Sequence, residues 1–189
     1  MSPQKIVVTG GPSTGKTSLI EAMQDSGYVC YPEVVRQMTL DAKNKGSLSN
    51  YGTNPIALVA NPLDFNKKIL DARLEQYRES EGSGDAFIFF DRGLPDVLAY
   101  MEYYKQEVPK EFRSIIKKHA YDRVFFLPIW QEIFVQDGER FESYEEAMQL
   151  TDCLYKTYSE LNYDIIEIPK SSVVERVGFI KKIVLNDHR

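Results

Sequence analysis

The segment Lys5-Ile6-Val7-Val8-Thr9-Gly10-Gly11-Pro12-Ser13-Thr14-Gly15-Lys16-Thr17-Ser18 sets the architecture expected of this chain. Its first five residues are short, apolar and β-rich, and they run straight into glycines. That pattern predicts a buried strand ending in a turn. Gly10, Gly15, Lys16 and Thr17 fill the spacing G-x-x-x-x-G-K-[ST], which forms a phosphate-binding loop when a strand precedes it and a helix follows. Glycine lets the main chain wrap closely around phosphate oxygens with its N–H groups turned inward. A helix beginning near Lys16 adds the positive end of its dipole at the same point. Gly10, Gly11, Pro12, Ser13, Thr14, Gly15, Lys16, Thr17 and Ser18 are therefore the candidate residues for a nucleoside triphosphate. Lys16 is expected to reach its β- and γ-phosphates, and the Thr17 hydroxyl to hold Mg2+. The plainer reading is a glycine-rich turn with a surface lysine, and the flanking strand and helix weigh against it.

Outward from the loop, strands and helices alternate. Thr17 to Asp25 reads as a helix closed by Ser26-Gly27, and Tyr28-Val29-Cys30-Tyr31 as a second strand. Glu33 to Lys45 reads as helical, and 46–62 as a loop rich in glycine, asparagine and proline. Leu63 to Ser80 is a helix candidate with Phe65, Ile69, Ala72 and Tyr77 on or near one face. Ala86-Phe87-Ile88-Phe89-Phe90 is apolar at every position, as a strand covered on both faces must be. Pro95 to Tyr104 and Lys110 to His119 are further helices, and Arg123 to Leu127 is the fourth strand. Ser143-Tyr144-Glu145-Glu146 and Ser172-Val173-Val174-Glu175 are capping boxes, each opening a helix. Asp164 to Ile168 is the fifth strand. Five apolar strands separated by helices predict an α/β domain spanning 1–189, with helices on both faces of a five-stranded parallel sheet.

Composition narrows the function. Hydrophobic residues make up 43% of the chain, ordinary globular usage, and no apolar run is long enough to span a bilayer. A net charge of −5 argues against general nucleic-acid binding, which uses a basic surface. Phosphate ligands need only a few local cations. Cys30 and Cys153 have neither pairing nor metal-ligand spacing and read as reduced, buried thiols, and the expected compartment is the cytoplasm.

In open parallel sheets ligands bind beyond the carboxyl ends of the strands. Gly10, Glu33, Asp91, Pro128 and Pro169 all fall there. Asp91 closes the apolar third strand, where a carboxylate can bind Mg2+ directly or through water; the plainer role is an N-cap for the next helix. Arg92 follows it, where many motor ATPases place a water-activating glutamate. That favours transfer to a bound acceptor over hydrolysis and offers Arg92 as a phosphate ligand, with a solvated arginine as the alternative. Glu33 can accept the proton of an acceptor hydroxyl as phosphate arrives, with Arg36 one turn on placed to pair with it or to hold substrate; the alternative is a helix-terminal glutamate. Arg140 lies in Asp137-Gly138-Glu139-Arg140, part of an expected lid at about 130–143, where it can neutralise charge in the transition state; the alternative is an exposed charged turn. Pro169-Lys170-Ser171 is placed to receive an adenine ring. His119 and His188 read as surface residues, and Trp130 as packing near the lid.

Together these residues resemble the AAA_28 family of P-loop proteins. The resemblance rests on the loop, on Pro32-Glu33-Val34-Val35-Arg36, on Phe90-Asp91-Arg92-Gly93-Leu94-Pro95-Asp96, on Asp137 to Phe141, and on the tail Tyr163 to Ile180 with Glu175-Arg176-Val177. It implies a three-layer P-loop NTPase fold of the nucleoside-kinase and nucleotide-kinase kind. It also implies catalytic roles for Lys16, Glu33, Asp91, Arg92 and Arg140, with Thr17 and Asp91 holding metal. ATP with Mg2+ is the expected cofactor pair and GTP the alternative; guanine selection by an N-K-x-D motif is not available. The expected activity is a kinase passing the γ-phosphate of ATP to a hydroxyl of a small, nucleoside-like acceptor. Family members known for binding GTP and phosphoinositide keep a second expectation open: a nucleotide-dependent regulatory module or slow NTPase without an acceptor.

Overall fold

The computed structural model describes residues 2–38, 61–134 and 142–186. Five strands, β1 (Gln4–Gly10), β2 (Val29–Tyr31), β3 (Phe87–Asp91), β4 (Arg123–Leu127) and β5 (Ile165–Glu167), form one parallel sheet in the order β2-β3-β1-β4-β5. β1 is therefore central, and the loop that follows it leaves the middle of the sheet. Among the described residues six α-helices pack around the sheet: α1 (Lys16–Asp25), α2 (Pro62–Ser80), α3 (Leu94–Tyr103), α4 (Lys110–Lys118) and α5 (Tyr144–Glu160) between strands, and α6 (Val173–Asn186) after β5. A helical stretch at 34–38 leads out of β2.

Alternation along the strands divides the core into two. Ile6, Val8, Phe87, Phe89, Phe125 and Leu127 face α1 and α6. Val7, Ile88, Phe90 and Val124 face α2, α3, α4 and Tyr158 of α5. Helices thus cover both faces in three layers. Each fully buried phenylalanine contributes on the order of 1.5–3 kcal/mol relative to exposure, and Phe89, Phe90, Phe125 and Phe126 are all 2% exposed or less.

Local chemistry sets the helix ends. The Asn61 side chain accepts from the Asp64 N–H and Pro62 occupies the first turn, so α2 begins one residue before Leu63. Ser143 and Glu146 exchange hydrogen bonds at the start of α5, as do Ser172 and Glu175 ahead of α6. The apolar stripe of α2 centres on Ile69, Leu70, Leu74 and Tyr77, with Phe65 and Ala72 at its margin. Asp91 belongs to β3 itself, paired in register with Val8. Cys30 and Cys153 are free but half-buried, not buried as expected, and burial pushes the Cys30 thiol up to about 12.

Candidate functional site

Three connections converge at the carboxyl edge of the sheet: the loop after β1, the β2 exit and the β3–α3 turn. The loop closes on itself. Gly15 has φ +84, a left-handed conformation that costs glycine nothing. Gly11 has no room for a side chain, because an added Cβ would collide with the Thr151 hydroxyl of α5 and approach the Ala147 carbonyl at 3.1 Å. Thr14 Oγ1 donates to the Gly11 carbonyl at 2.9 Å. Lys16 reaches back along the loop, its Nζ donating to the carbonyls of Gly10 (2.9 Å) and Gly11 (2.6 Å). Burial, reinforced by the Arg92 charge, pulls the Lys16 ammonium down to about 7. A polyanion in front of the loop would restore that cation. Pro12 and Thr17 are half-buried, Ser13 and Thr14 buried, and Ser18 exposed.

Asp91 is 7% exposed, and its Oδ1 has no hydrogen-bond partner. Burial raises its carboxyl above the ordinary range against the opposing pull of Lys16 and Arg92. The N-cap role belongs elsewhere: Gly93 is the cap of α3, and Asp96 Oδ2 accepts the Gly93 N–H at 3.0 Å. An orphaned carboxylate oxygen in the same pocket of charge as Lys16, with the Thr17 hydroxyl on the first turn of α1, suits the hard oxygen ligation that Mg2+ requires.

Arg92 is not a solvated surface arginine. Its backbone adopts φ 74, and its side chain is 12% exposed. Nη1 donates to Asp96 Oδ1 at 3.1 Å and to the Gly10 carbonyl at 3.4 Å, and the guanidinium lies 5.3 Å from the centre of the Tyr100 ring. The Arg92 charge is thus fixed against the base of the loop.

Glu33 is anchored by main chain. Oε2 accepts the Arg36 N–H at 2.7 Å, and Oε1 accepts the Val35 N–H at 3.1 Å and Arg73 Nη2 at 3.5 Å. The expected side-chain partnership with Arg36 is replaced by the Arg36 backbone, because the carboxylate curls over the first turn of helix it precedes. Three acceptor sites of about four on a carboxylate are used, which leaves Oε2 able to take one more donor.

Three residues to which the sequence alone assigned no role, Arg73, Asp96 and Arg176, tie these groups together. Arg73 of α2, 4% exposed, joins Glu33 to the Gly93 carbonyl (2.9 Å). Its signal was a charge inside the apolar stripe Ile69-Leu70-Leu74-Tyr77. Asp96, fully buried, accepts Thr9 Oγ1 at 2.8 Å and the Tyr158 hydroxyl at 2.6 Å besides Arg92 and Gly93. Burial alone would raise its carboxyl, but Arg73, Arg92 and these hydrogen bonds hold it below the ordinary range. Arg176 of α6 donates to the Thr14 carbonyl, and Trp130 packs against it. The Asp137–Phe141 segment with Arg140, most of the expected lid, lies outside the described residues, as does His188. His119 is half-buried at the end of α4, its Nδ1 2.8 Å from the Ile115 carbonyl. Lys170 is exposed.

No helix among the described residues is long and apolar enough to cross a membrane. Comparison with solved structures gives the same fold at low identity. A deoxyadenosine kinase from M. mycoides, with products dCMP and dCDP bound, superposes with a TM-score of 0.68 at 16% identity, over 97% of this chain and 100% of that one. NadR in complex with NAD and AMP-PNP superposes at 0.65 and 15% identity over 96% of this chain, which spans about half (49%) of NadR. Shikimate kinase from Acinetobacter baumannii, in complex with shikimate, superposes at 0.62 and 14% identity, over 98% and 95%. No curated protein matches the sequence. The AAA domain model of the AAA_28 family matches residues 5–176, and the chain belongs to that family.

Proposed function

We propose that this chain, as a single domain over 1–189, is an ATP-dependent phosphotransferase acting on a hydroxyl of a small, nucleoside-like acceptor. The observation that carries the reading is the gathering of Glu33, Asp91 and Arg92 around one phosphate loop, with Arg73 and Asp96 fixing their positions. The loop 10–18 binds the triphosphate of ATP, and GTP is the alternative donor. Lys16 and Arg92 neutralise phosphate charge, and Arg140 is assigned the same role from its place in the sequence. Thr17 and Asp91 would hold Mg2+, which when bound neutralises charge on the β- and γ-phosphate oxygens. Glu33 orients the acceptor hydroxyl and takes its proton through Oε2. Catalysis of this kind is mainly positioning and electrostatics. The solved structures that hold dCMP, NAD and AMP-PNP, or shikimate support a small-molecule acceptor. A protein without a membrane-spanning helix among its described residues suits the cytoplasm.

One observation favours a second reading. Glu33 caps the helical stretch it precedes, which is sufficient reason for a glutamate there. On that reading the chain is a nucleotide-dependent regulatory module or slow NTPase. Incubation with MgATP and a panel of nucleosides and small alcohols, read by phosphorus NMR, separates the two. A phosphorylated acceptor that disappears in Glu33→Gln, with ATP affinity kept, supports the kinase. Tight nucleotide binding with no product from any acceptor sinks it.

A further inference from the structure

The tail motif Glu175-Arg176-Val177 contains a cation that the phosphate chemistry above does not use. Arg176 lies in the first turns of α6 and is 3% exposed. Its Nη1 donates to the Thr14 carbonyl at 2.9 Å, and its Nε to the Pro169 carbonyl at 3.2 Å. The guanidinium lies 5.2 Å from the centre of the Trp130 ring. A Cβ added to Gly15 would come within 3.0 Å of Nη1, so the charge sits directly behind the left-handed residue of the loop. Its partners among the described residues are two carbonyls and a ring, with no carboxylate.

Two physical consequences follow. A trans peptide directs its C=O and N–H to opposite sides. Holding the Thr14 carbonyl toward α6 therefore turns the Gly15 N–H to the other side of the chain, where the loop receives its ligand. A buried guanidinium whose partners among the described residues are carbonyls and a ring is also costly to maintain. An anion bound across the loop lowers that cost, so the cation favours the occupied state.

We propose that Arg176 is a positioning residue for the nucleoside triphosphate, fixing the Thr14–Gly15 peptide through the Thr14 carbonyl and placing a positive charge behind the loop. The inference rests on the loop being a triphosphate site, but not on the acceptor or on catalysis. Trp130 is the single tryptophan of the chain, so its emission reports on this contact.

The test titrates MgATP and, separately, magnesium tripolyphosphate into the wild type, Arg176→Gln and Arg176→Lys, following heat and Trp130 emission. The wild type is expected to bind both with a change in emission. Arg176→Gln, checked for native circular dichroism, is expected to bind both about 10- to 100-fold more weakly, the range of a charge-assisted hydrogen bond. Its emission change is expected to disappear. Arg176→Lys keeps the charge but not the fork and is expected to fall between. An Arg176→Gln affinity within about twofold of the wild type, against the range above, overturns the proposal. So does a loss confined to ATP, which would mark a contact to the base, or wild-type binding that leaves Trp130 unchanged. Should Arg176→Gln fail to fold, Arg176→Lys decides: weaker binding supports the bridge and wild-type affinity overturns it. A wild type that binds neither ligand overturns the nucleotide reading itself, and the proposal with it.

Discussion

At the scale of single residues, two buried carboxylates five positions apart, Asp91 and Asp96, behave in opposite ways. Asp96 is surrounded by donors: Thr9, Arg92, the Gly93 N–H and Tyr158. Its folded carboxyl is held below the ordinary value of 3.8. The stability it contributes is therefore fully present above that value and is lost as pH falls further, through the folded pKa. Asp96→Asn leaves the Arg92 guanidinium buried without its carboxylate, which costs on the order of 3–5 kcal/mol. Urea unfolding at pH 7 should give that difference, and the gap should narrow below about pH 3.8 as the wild-type carboxyl protonates; a gap independent of pH counts against the charge pair. Asp91 is the opposite case, a buried carboxylate with one oxygen unpartnered and its carboxyl raised. Replacing it by the neutral isostere Asn removes a charge that the nucleotide-free fold does not satisfy. Asp91→Asn is expected to unfold within about 1 kcal/mol of the wild type. Nucleotide affinity measured with Mg2+ and with EDTA should then converge. Lost stability with the Mg2+ dependence intact would show that Asp91 is a structural group.

At the scale of elements, the β3–α3 turn does most to assemble the site, and its tolerances are narrow. A Cβ on Gly93 would meet Tyr158 Oη at 2.6 Å, Val7 Cγ2 at 2.9 Å and Tyr121 Cε2 at 3.1 Å. Val7 and Tyr121 belong to a packed core, and the Tyr158 hydroxyl is committed to Asp96, so none can retreat freely. Gly93→Ala is expected to cost on the order of 1–3 kcal/mol, the usual range for overpacking. It should also weaken whatever binds beside Arg92, since Arg73 holds the Gly93 carbonyl. Equal thermal midpoints for the variant and the wild type would contradict this packing. The turn also marks how far the sequence could be read. Asp91 and Arg92 were legible because a carboxylate closing an apolar run is a local pattern. Gly10 to Thr17 were legible for the same reason, since the whole motif lies within one strand–loop–helix unit. The role of Asp96 was not, because two of its four partners come from β1 and from α5, 87 and 62 residues away. Arg73 and Arg176 were missed likewise: each reaches its partner across the sheet edge, over separations of 20, 40 and 162 residues. Glu33 was read correctly as lying at the β2 exit, yet its real partners are two backbone N–H groups and Arg73.

At the scale of the molecule, the sheet order places the phosphate loop on the central strand, between β3 and β4. Three residues of the loop are held against three different elements: Gly11 against α5, Gly10 to Arg92 at the β3–α3 turn, and Thr14 to α6. Without ligand this assembly gathers the charges of Lys16, Arg92 and Arg176 at one edge, each donating to at least one backbone carbonyl. A triphosphate that engages all three should therefore stabilise the fold as a whole and not one loop. For a ligand that binds only the folded chain, the gain is RT ln(1 + [L]/Kd), about 2.7 kcal/mol at a concentration of 100 Kd. For a domain of this size each kcal/mol raises the midpoint by about 2–4 °C. MgATP at that excess is accordingly expected to raise the thermal midpoint by about 5–10 °C as one cooperative transition. Lys16→Met and Thr17→Ala should each remove most of the rise. Calorimetry decides the point: a shift of the expected size that survives both substitutions would place the nucleotide somewhere other than the loop after β1.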